Sequence, residues 1–287
     1  MEPRALPLTR RLSTLEVLDA AIWFARDHCA AWLVTAGAGG LAFAVALAAF
    51  YNAITHAPKG MSVEDFFVRV AMYSAGLSVL FVARGLGQWA AVEFLRARIF
   101  GESRSPEGSW LPALRHAPAA LFFCGFSGMC QWAGLAAAVY PGLATVNSGG
   151  LALSAAVFER LDPAAALRRS RALMKGSFAG AGLWGLLLAV WALLFVNVLM
   201  FGAFGPEIAR SLFGLSLPHL ERLLSPDNPV FVALSLGFTW ALTDALRTVA
   251  FAVLYLNARI EKEGSDLLQR MVLLRAGRRP REEAAHV

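Results

Sequence analysis

Residues 176–206 read GSFAGAGLWGLLLAVWALLFVNVLMFGAFGP and contain no Asp, Glu, Lys or Arg. The hydrocarbon core of a bilayer is about 30 Å thick and is crossed by roughly 20 helical residues, so this run holds one crossing. Residues 28–58 and 116–158 are equally free of charge. The second of these is 43 residues long, enough for two crossings and a tight turn. Tyr140-Pro141-Gly142 is the natural turn, because proline and glycine interrupt helices. Two further apolar segments carry isolated charges: Phe66 to Leu95 with Arg69, Arg84 and Glu93, and Val230 to Leu256 with Asp244 and Arg247. Together these predict an all-α integral membrane protein, a six-transmembrane-helix bundle spanning about 30–52, 66–94, 118–139, 142–158, 178–202 and 230–256. Helices are expected because lipid cannot satisfy exposed backbone polar groups.

The composition agrees. Of 287 residues, 57% are hydrophobic and 16% charged, against about a quarter charged in an average soluble chain. The net charge of +6 invites a nucleic-acid reading, but the cations are not spread over a surface. With the N-terminus inside, segments 1–29, 95–117, 159–177 and 257–287 carry 20 of the 26 Lys and Arg. The outer segments hold only Lys59, Arg210 and Arg222. That is the positive-inside pattern of a multi-pass protein with both termini cytoplasmic, and nucleic acid is not an expected partner. The whole of 1–287 reads as one polytopic domain ending in a cytoplasmic tail, 257–287. No cleavable signal peptide is expected, since Arg4, Arg10, Arg11 and Glu16 precede the first apolar run and that run is too long for a signal core.

Short amphipathic helices are expected beside the crossings. Ser13 and Glu16 have capping-box spacing, and Leu15, Leu18, Ile22 and Ala25 recur at helical intervals, predicting an interfacial helix over 14–27 with Trp23 at headgroup depth. Asp162-Pro163 is a helix start for a basic helix over 163–175 that carries Arg168, Arg169, Arg171 and Lys175 and stops at Gly176. Two roles stand for those four cations: holding the segment inside, or contacting anionic lipid headgroups. Trp110 to Arg115 is a weaker third case, so the chain reads as three units of interfacial helix plus hairpin. Ile208, Leu212 and Leu215 predict another short helix in the outer loop, ending before Pro218. Gly176, Gly180 and Gly185, with Gly125, Gly128 and Gly134, are expected at close helix contacts.

Three patches resemble the membrane domain attached to some bacterial glycerophosphodiester phosphodiesterases and that domain's stand-alone relatives. They are Leu12-Ser13-Thr14-Leu15-Glu16-Val17-Leu18-Asp19-Ala20-Ala21, then Val157-Phe158-Glu159-Arg160-Leu161-Asp162-Pro163 continuing through Arg168-Arg169-Ser170, and Leu254-Tyr255-Leu256-Asn257-Ala258-Arg259-Ile260-Glu261-Lys262-Glu263-Gly264. The resemblance implies a six-helix protein of the bacterial inner membrane. It does not imply phosphodiesterase activity, which belongs to a separate barrel domain of some 250 residues.

No catalytic pattern is present. His28, His56, His116, His219 and His286 lack acidic or cysteine partners at ligand spacing, and Cys29, Cys124 and Cys130 read as inert membrane thiols. No cofactor and no enzymatic activity are expected. The informative charges lie within the crossings. Tyr73, Leu77, Arg84 and Gln88 share one helical face, and Trp240, Asp244, Arg247 and Phe251 share another. A charge at mid-bilayer costs roughly 2.5–3.5 kcal/mol and therefore pairs inside the bundle, so Asp244 is expected between Arg84 and Arg247. Such a cluster either fixes helix register or forms a polar pocket for a headgroup or anion, to which Asn147, Ser148 and Asn197 would add. The expected role is a non-enzymatic scaffold or accessory subunit that anchors other membrane proteins. The alternative is a small transporter or lipid-handling protein using that cluster.

Overall fold

A computed structural model of the protein describes residues 11–55, 58, 60–127, 139–214 and 218–264. Among them every regular element is helical and no strand occurs. Helix α1 (Thr14–Asp27) starts at the capping box: Glu16 N–H donates to Ser13 Oγ at 3.3 Å and Ser13 N–H to Glu16 Oε2 at 2.8 Å. After a break at His28, helix α2 (Cys29–Trp32) runs through a π-helical stretch (Leu33–Gly37) into α3 (Ala38–Thr55). Helix α4 (Val63–Ile99) returns alongside α3, capped by Ser62, whose Oγ accepts from Asp65 N–H at 3.0 Å. Next come α5 (Trp110–Arg115), α6 (Ala117–Leu121) and a second π-helical stretch, Phe122–Ser127. The remainder of the third predicted crossing, 128–138, lies outside the described residues.

Two expectations fail in the fourth segment. Tyr140-Pro141-Gly142 is not a turn but lies within helix α7 (Val139–Gly149). Nor is 142–158 one helix. It breaks at Gly150 and resumes as α8 (Ala152–Glu159). The aromatic ring of Phe251 fills the space a side chain at position 150 would need, 2.3 Å from where a Cβ would sit. The displaced Leu151 N–H donates to Ser170 Oγ at 3.2 Å.

Helix α9 (Pro163–Met174) is the basic helix, capped by Asp162, which accepts from Ala165 N–H at 2.9 Å. Helix α10 (Ala179–Phe213) does not stop at the predicted end of the fifth crossing. It continues through Pro206 to Gly214, which caps it with φ +65°. The separate outer helix expected before Pro218 is thus the end of α10, and α11 (Pro218–Leu224) begins where that helix was to finish. Helix α12 (Pro229–Glu263) closes the described chain.

α10 and α12 are each 35 residues long, about 52 Å at 1.5 Å per residue, and both are apolar enough to cross a membrane. α10 is not the buried core helix of a soluble fold, because only 11% of its most apolar window is covered. Leu193, Val196, Met200, Phe201 and Phe204 all stand exposed on it.

The packed core lies toward one end of the molecule. There the last third of α4 (Trp89 to Leu95), α8, the second half of α12 (Val249 to Ala258) and α1 bury their side chains together. α1 seats Val17, Ala20, Ala21 and Phe24 in that core and leaves Leu15 and Ile22 exposed. Of the apolar stripe expected over 14–27, Leu18 alone is buried. The small alanines bring α1 close to α12, and Asn257 fixes the approach by accepting from Leu12 N–H at 2.7 Å and donating to Leu12 O at 3.0 Å.

Candidate functional site

The charges that interrupt the apolar segments of α4 and α12 are brought together. α4 carries Arg84 and Gln88 one turn apart, and α12 carries Asp244 and Arg247. Arg84 Nε donates to Asp244 Oδ2 and Nη2 to Oδ1, both at 2.6 Å. Gln88 Nε2 donates to Oδ2 at 2.9 Å, and Arg247 Nε donates to Oδ1 at 3.0 Å. An ionised carboxylate has about four acceptor positions, and all are occupied. Arg84 Nη1 adds a bond to Cys124 Sγ at 3.4 Å.

Backbone packing holds Arg84 in place. A Cβ on Gly39 would lie 2.5 Å from Ala83 O, one on Gly87 2.8 Å from Thr35 O, and one on Gly85 2.8 Å from Cys124 Cβ. The chain therefore approaches this turn of α4 closely from α3 and the first π-helical stretch on one side and from the second π-helical stretch on the other. These are not the glycines expected at close contacts. Of those, Gly180 does abut Asn147, but Gly185 meets open space and Gly125 touches only Phe81, at 3.9 Å. Gly128 and Gly134 lie outside the described residues.

Two guanidinium groups around one carboxylate leave one net positive charge. Arg84 is 9% exposed along its side chain and Arg247 is 25% exposed, so the surplus sits on Arg247. That residue and Asp244 line a small open recess between α10 and α12. Its other walls are Trp184, Leu187, Leu188, Trp191, Trp240 and Thr243. Asn147, Ser148 and Asn197 do not contribute. Asn147 donates to Ser177 O at 2.6 Å and accepts from Ala181 N–H, Ser148 donates to Thr145 O, and Asn197 donates to Leu193 O.

A second charge centre, not anticipated from sequence, lies at the packed end. Glu93 is fully buried and its carboxylate receives Arg96 at 3.2 Å, Arg104 at 3.3 Å and the guanidinium of Arg160. Arg160 is the described non-glycine residue with a left-handed backbone, φ 57°, where it ends α8. Beside it Glu159 accepts from Arg169 Nε at 2.9 Å and from the Tyr255 hydroxyl, and Arg169 also pairs with Glu263. Burial alone would raise the Glu263 carboxyl. The hydrogen bonds from Arg259 and Arg169 outweigh it and hold that carboxyl below its usual range. The only sequence signals here were Glu93 at the end of an apolar run and the Glu159-Arg160 pair in the quoted patch.

Of the four cations proposed for headgroup contact, Arg169 is thus committed to carboxylates. Arg168, Arg171 and Lys175 are exposed. His116 stacks on Trp89 with ring centroids 5.2 Å apart, and His28 packs between Phe24 and Phe94. Among the described residues no group of histidine, cysteine and carboxylate side chains is placed to hold a metal. Comparison of the chain with protein-family models, curated proteins and solved structures returned no match in any of the three.

Proposed function

We propose that the chain is a six-span inner-membrane protein, termini cytoplasmic, that serves as a static, non-enzymatic body to which other membrane proteins anchor. The observation that carries this reading is the tying of the long helices at two levels. α4 is joined to α12 by Arg84 and Asp244 midway along, and to the end of α8 by Glu93 and Arg160. α8 is in turn joined to α12 and α9 through Glu159, Tyr255 and Arg169. Alternating access requires one group of helices to rock against another around a central site. A charge pair between α4 and α12 at mid-depth, with links from both helices to α8 at one end, opposes that motion, because separating them leaves buried charges unpaired.

The membrane placement rests on the uncharged runs, on the exposed apolar face of α10 and on the cation asymmetry. In this orientation the packed end, with its arginine-rich networks, faces the cytoplasm. The three patches that resemble the phosphodiesterase-associated membrane domain occur in the order such a six-span chain requires. The alternative reading, a transporter or lipid-handling protein, has the recess beside Arg247 in its favour.

Spin labels on cysteine variants test the static body in proteoliposomes. One pair at Met72 and Asp227 reports one end, and another at Ser103 and Arg171 reports the other. A static body gives one narrow distance distribution per pair. Two populations that exchange in opposite senses at the two ends would mark a transporter and end this proposal.

A further inference from the structure

Helix α9 carries cations that the fold leaves without counterions. Arg168, Arg171 and Lys175 recur at i, i+3 and i+7 and so share one helical face, which is exposed. The opposite face, with Ala166, Ser170, Leu173 and Met174, is buried. Lys262 adjoins the patch, its Nζ donating to Lys175 O at 3.2 Å. The neighbouring carboxylates are committed elsewhere. Asp162 caps α9, Glu159 and Glu263 accept from Arg169, and Glu261 pairs with Arg11. Among the described residues, none of Arg168, Arg171, Lys175 and Lys262 is joined to an acidic side chain.

The course of the chain sets the level of this face. α8 and α9 are joined by the turn at 160–162, and the Leu151 N–H before α8 donates to Ser170 Oγ near the end of α9. α9 therefore runs back along α8, and Arg168, Arg171 and Lys175 descend in that order toward Gly176, where the chain turns with φ +77° into α10. The three cations span about 10 Å of helix axis, of the order of the ~8 Å over which an anionic surface is felt at physiological salt. Phe178, just before α10, is exposed, and so is Leu15. Leu15 follows Thr14, whose Cγ2 lies 4.0 Å from where a Cβ on Gly182 would sit, in the first turn of α10. With α10 crossing the bilayer, outward apolar residues at its first turn and cations directly behind them mark the level of the headgroups. A charged face at that level meets lipid before it meets a cytosolic partner.

We propose that the exposed face of α9, Arg168, Arg171 and Lys175 with Lys262 beside them, binds the headgroups of anionic phospholipids in the cytoplasmic leaflet. The inference rests on the membrane placement above and is independent of the static-body reading, whose own test measures distances rather than lipid.

The full-length protein reconstituted in phosphatidylcholine bilayers tests it, with traces of spin-labelled phosphatidylglycerol or spin-labelled phosphatidylcholine as probes. The motionally restricted fraction of each probe gives its relative affinity for the protein. Phosphatidylglycerol is expected to be preferred about fivefold, the factor that one basic residue at a charged surface contributes. Arg168→Gln/Arg171→Gln/Lys175→Gln is expected to remove most of that preference, and the charge-keeping Arg168→Lys/Arg171→Lys to retain it. Arg222→Gln, on the outer side, is expected to leave it unchanged. Lys175→Gln alone, nearest α10, is expected to halve the preference and carries the test if the triple variant does not fold. Equal restriction of the two probes by the integrated protein, or a preference that survives these folded α9 variants, would overturn the assignment and leave the membrane placement standing. Equal restriction together with α9-dependent binding of polyglutamate would give the face to an acidic protein instead. A chain that does not integrate into the bilayer overturns the placement itself, and this site with it.

Discussion

Arg84 and Asp244 stand 160 positions apart in sequence and form a two-pronged ion pair, with both nitrogen–oxygen distances at 2.6 Å. Each is almost wholly enclosed, at 9% and 3% side-chain exposure. Removing either partner strands the other, whereas neutralising both removes the mutual need. Arg84→Gln and Asp244→Asn are each expected to destabilise the protein by about 3 kcal/mol, and the double variant by at least 1 kcal/mol less than their sum. Thermal unfolding in a single detergent measures this. Strict additivity would show that the two side chains do not act on each other.

Glu93 holds three arginines from a position with no solvent exposure. Glu93→Gln leaves those cations crowded around a neutral amide and is expected to cost about 3 kcal/mol. Arg160→Ala, which removes a 44%-exposed partner, is expected to cost less, because two arginines remain on the carboxylate. The ranking of the two melting temperatures checks the assignment of Glu93 as the centre of the network.

The apolar runs are legible in sequence because charges are rare within them, and the Arg84–Asp244 pairing is legible because an isolated charge in such a run must find its opposite. The need for glycine at the break, position 150, is not, since the Phe251 ring that takes the space of a side chain there lies a hundred residues away. The buried face of α1 is also hidden. Leu15, Leu18, Ile22 and Ala25 form a more hydrophobic stripe than Val17, Ala20, Ala21 and Phe24, yet the alanines permit close approach to α12 and take the core. α10 outruns its predicted end at about 202 and takes in Pro206 and Glu207. The helix passes through both, with most of its outer length exposed. The arginine networks at the packed end escape notice because cations beside a crossing already have a topological explanation.

The glycines separate by surroundings rather than by motif. Gly39→Ala drives a methyl group into the backbone of Ala83 and Arg84 and is expected to destabilise by about 1–3 kcal/mol. Gly185→Ala meets nothing within 4 Å and is expected to be neutral or to stabilise by up to about 1 kcal/mol through helix propensity. Unfolding measurements on the pair test whether close approach at α4, rather than the small-residue spacing of α10, holds the helices together.

His28 is kept neutral by burial and by the nearby Arg98, which together lower its pKa from 6.5. The unfolded chain therefore binds a proton more readily than the folded one. His28 contributes fully above pH 6.5, and that contribution is lost as the pH falls toward the depressed folded value. The melting temperature is expected to drop between pH 7 and pH 5.5, and His28→Gln to flatten that part of the profile. An unchanged slope in the variant would place the titration elsewhere.

The account depends most on the chain crossing a membrane with its cations inside. With Cys29, Cys124 and Cys130 replaced, single cysteines at Arg222, beyond α10, and at Arg171, on α9, report the two sides through a membrane-impermeant maleimide. Labelling of position 222 in intact cells, and of position 171 only after the membrane is opened, is the expected result. Labelling of both from one side, or recovery of the protein in the soluble fraction without detergent, would contradict it.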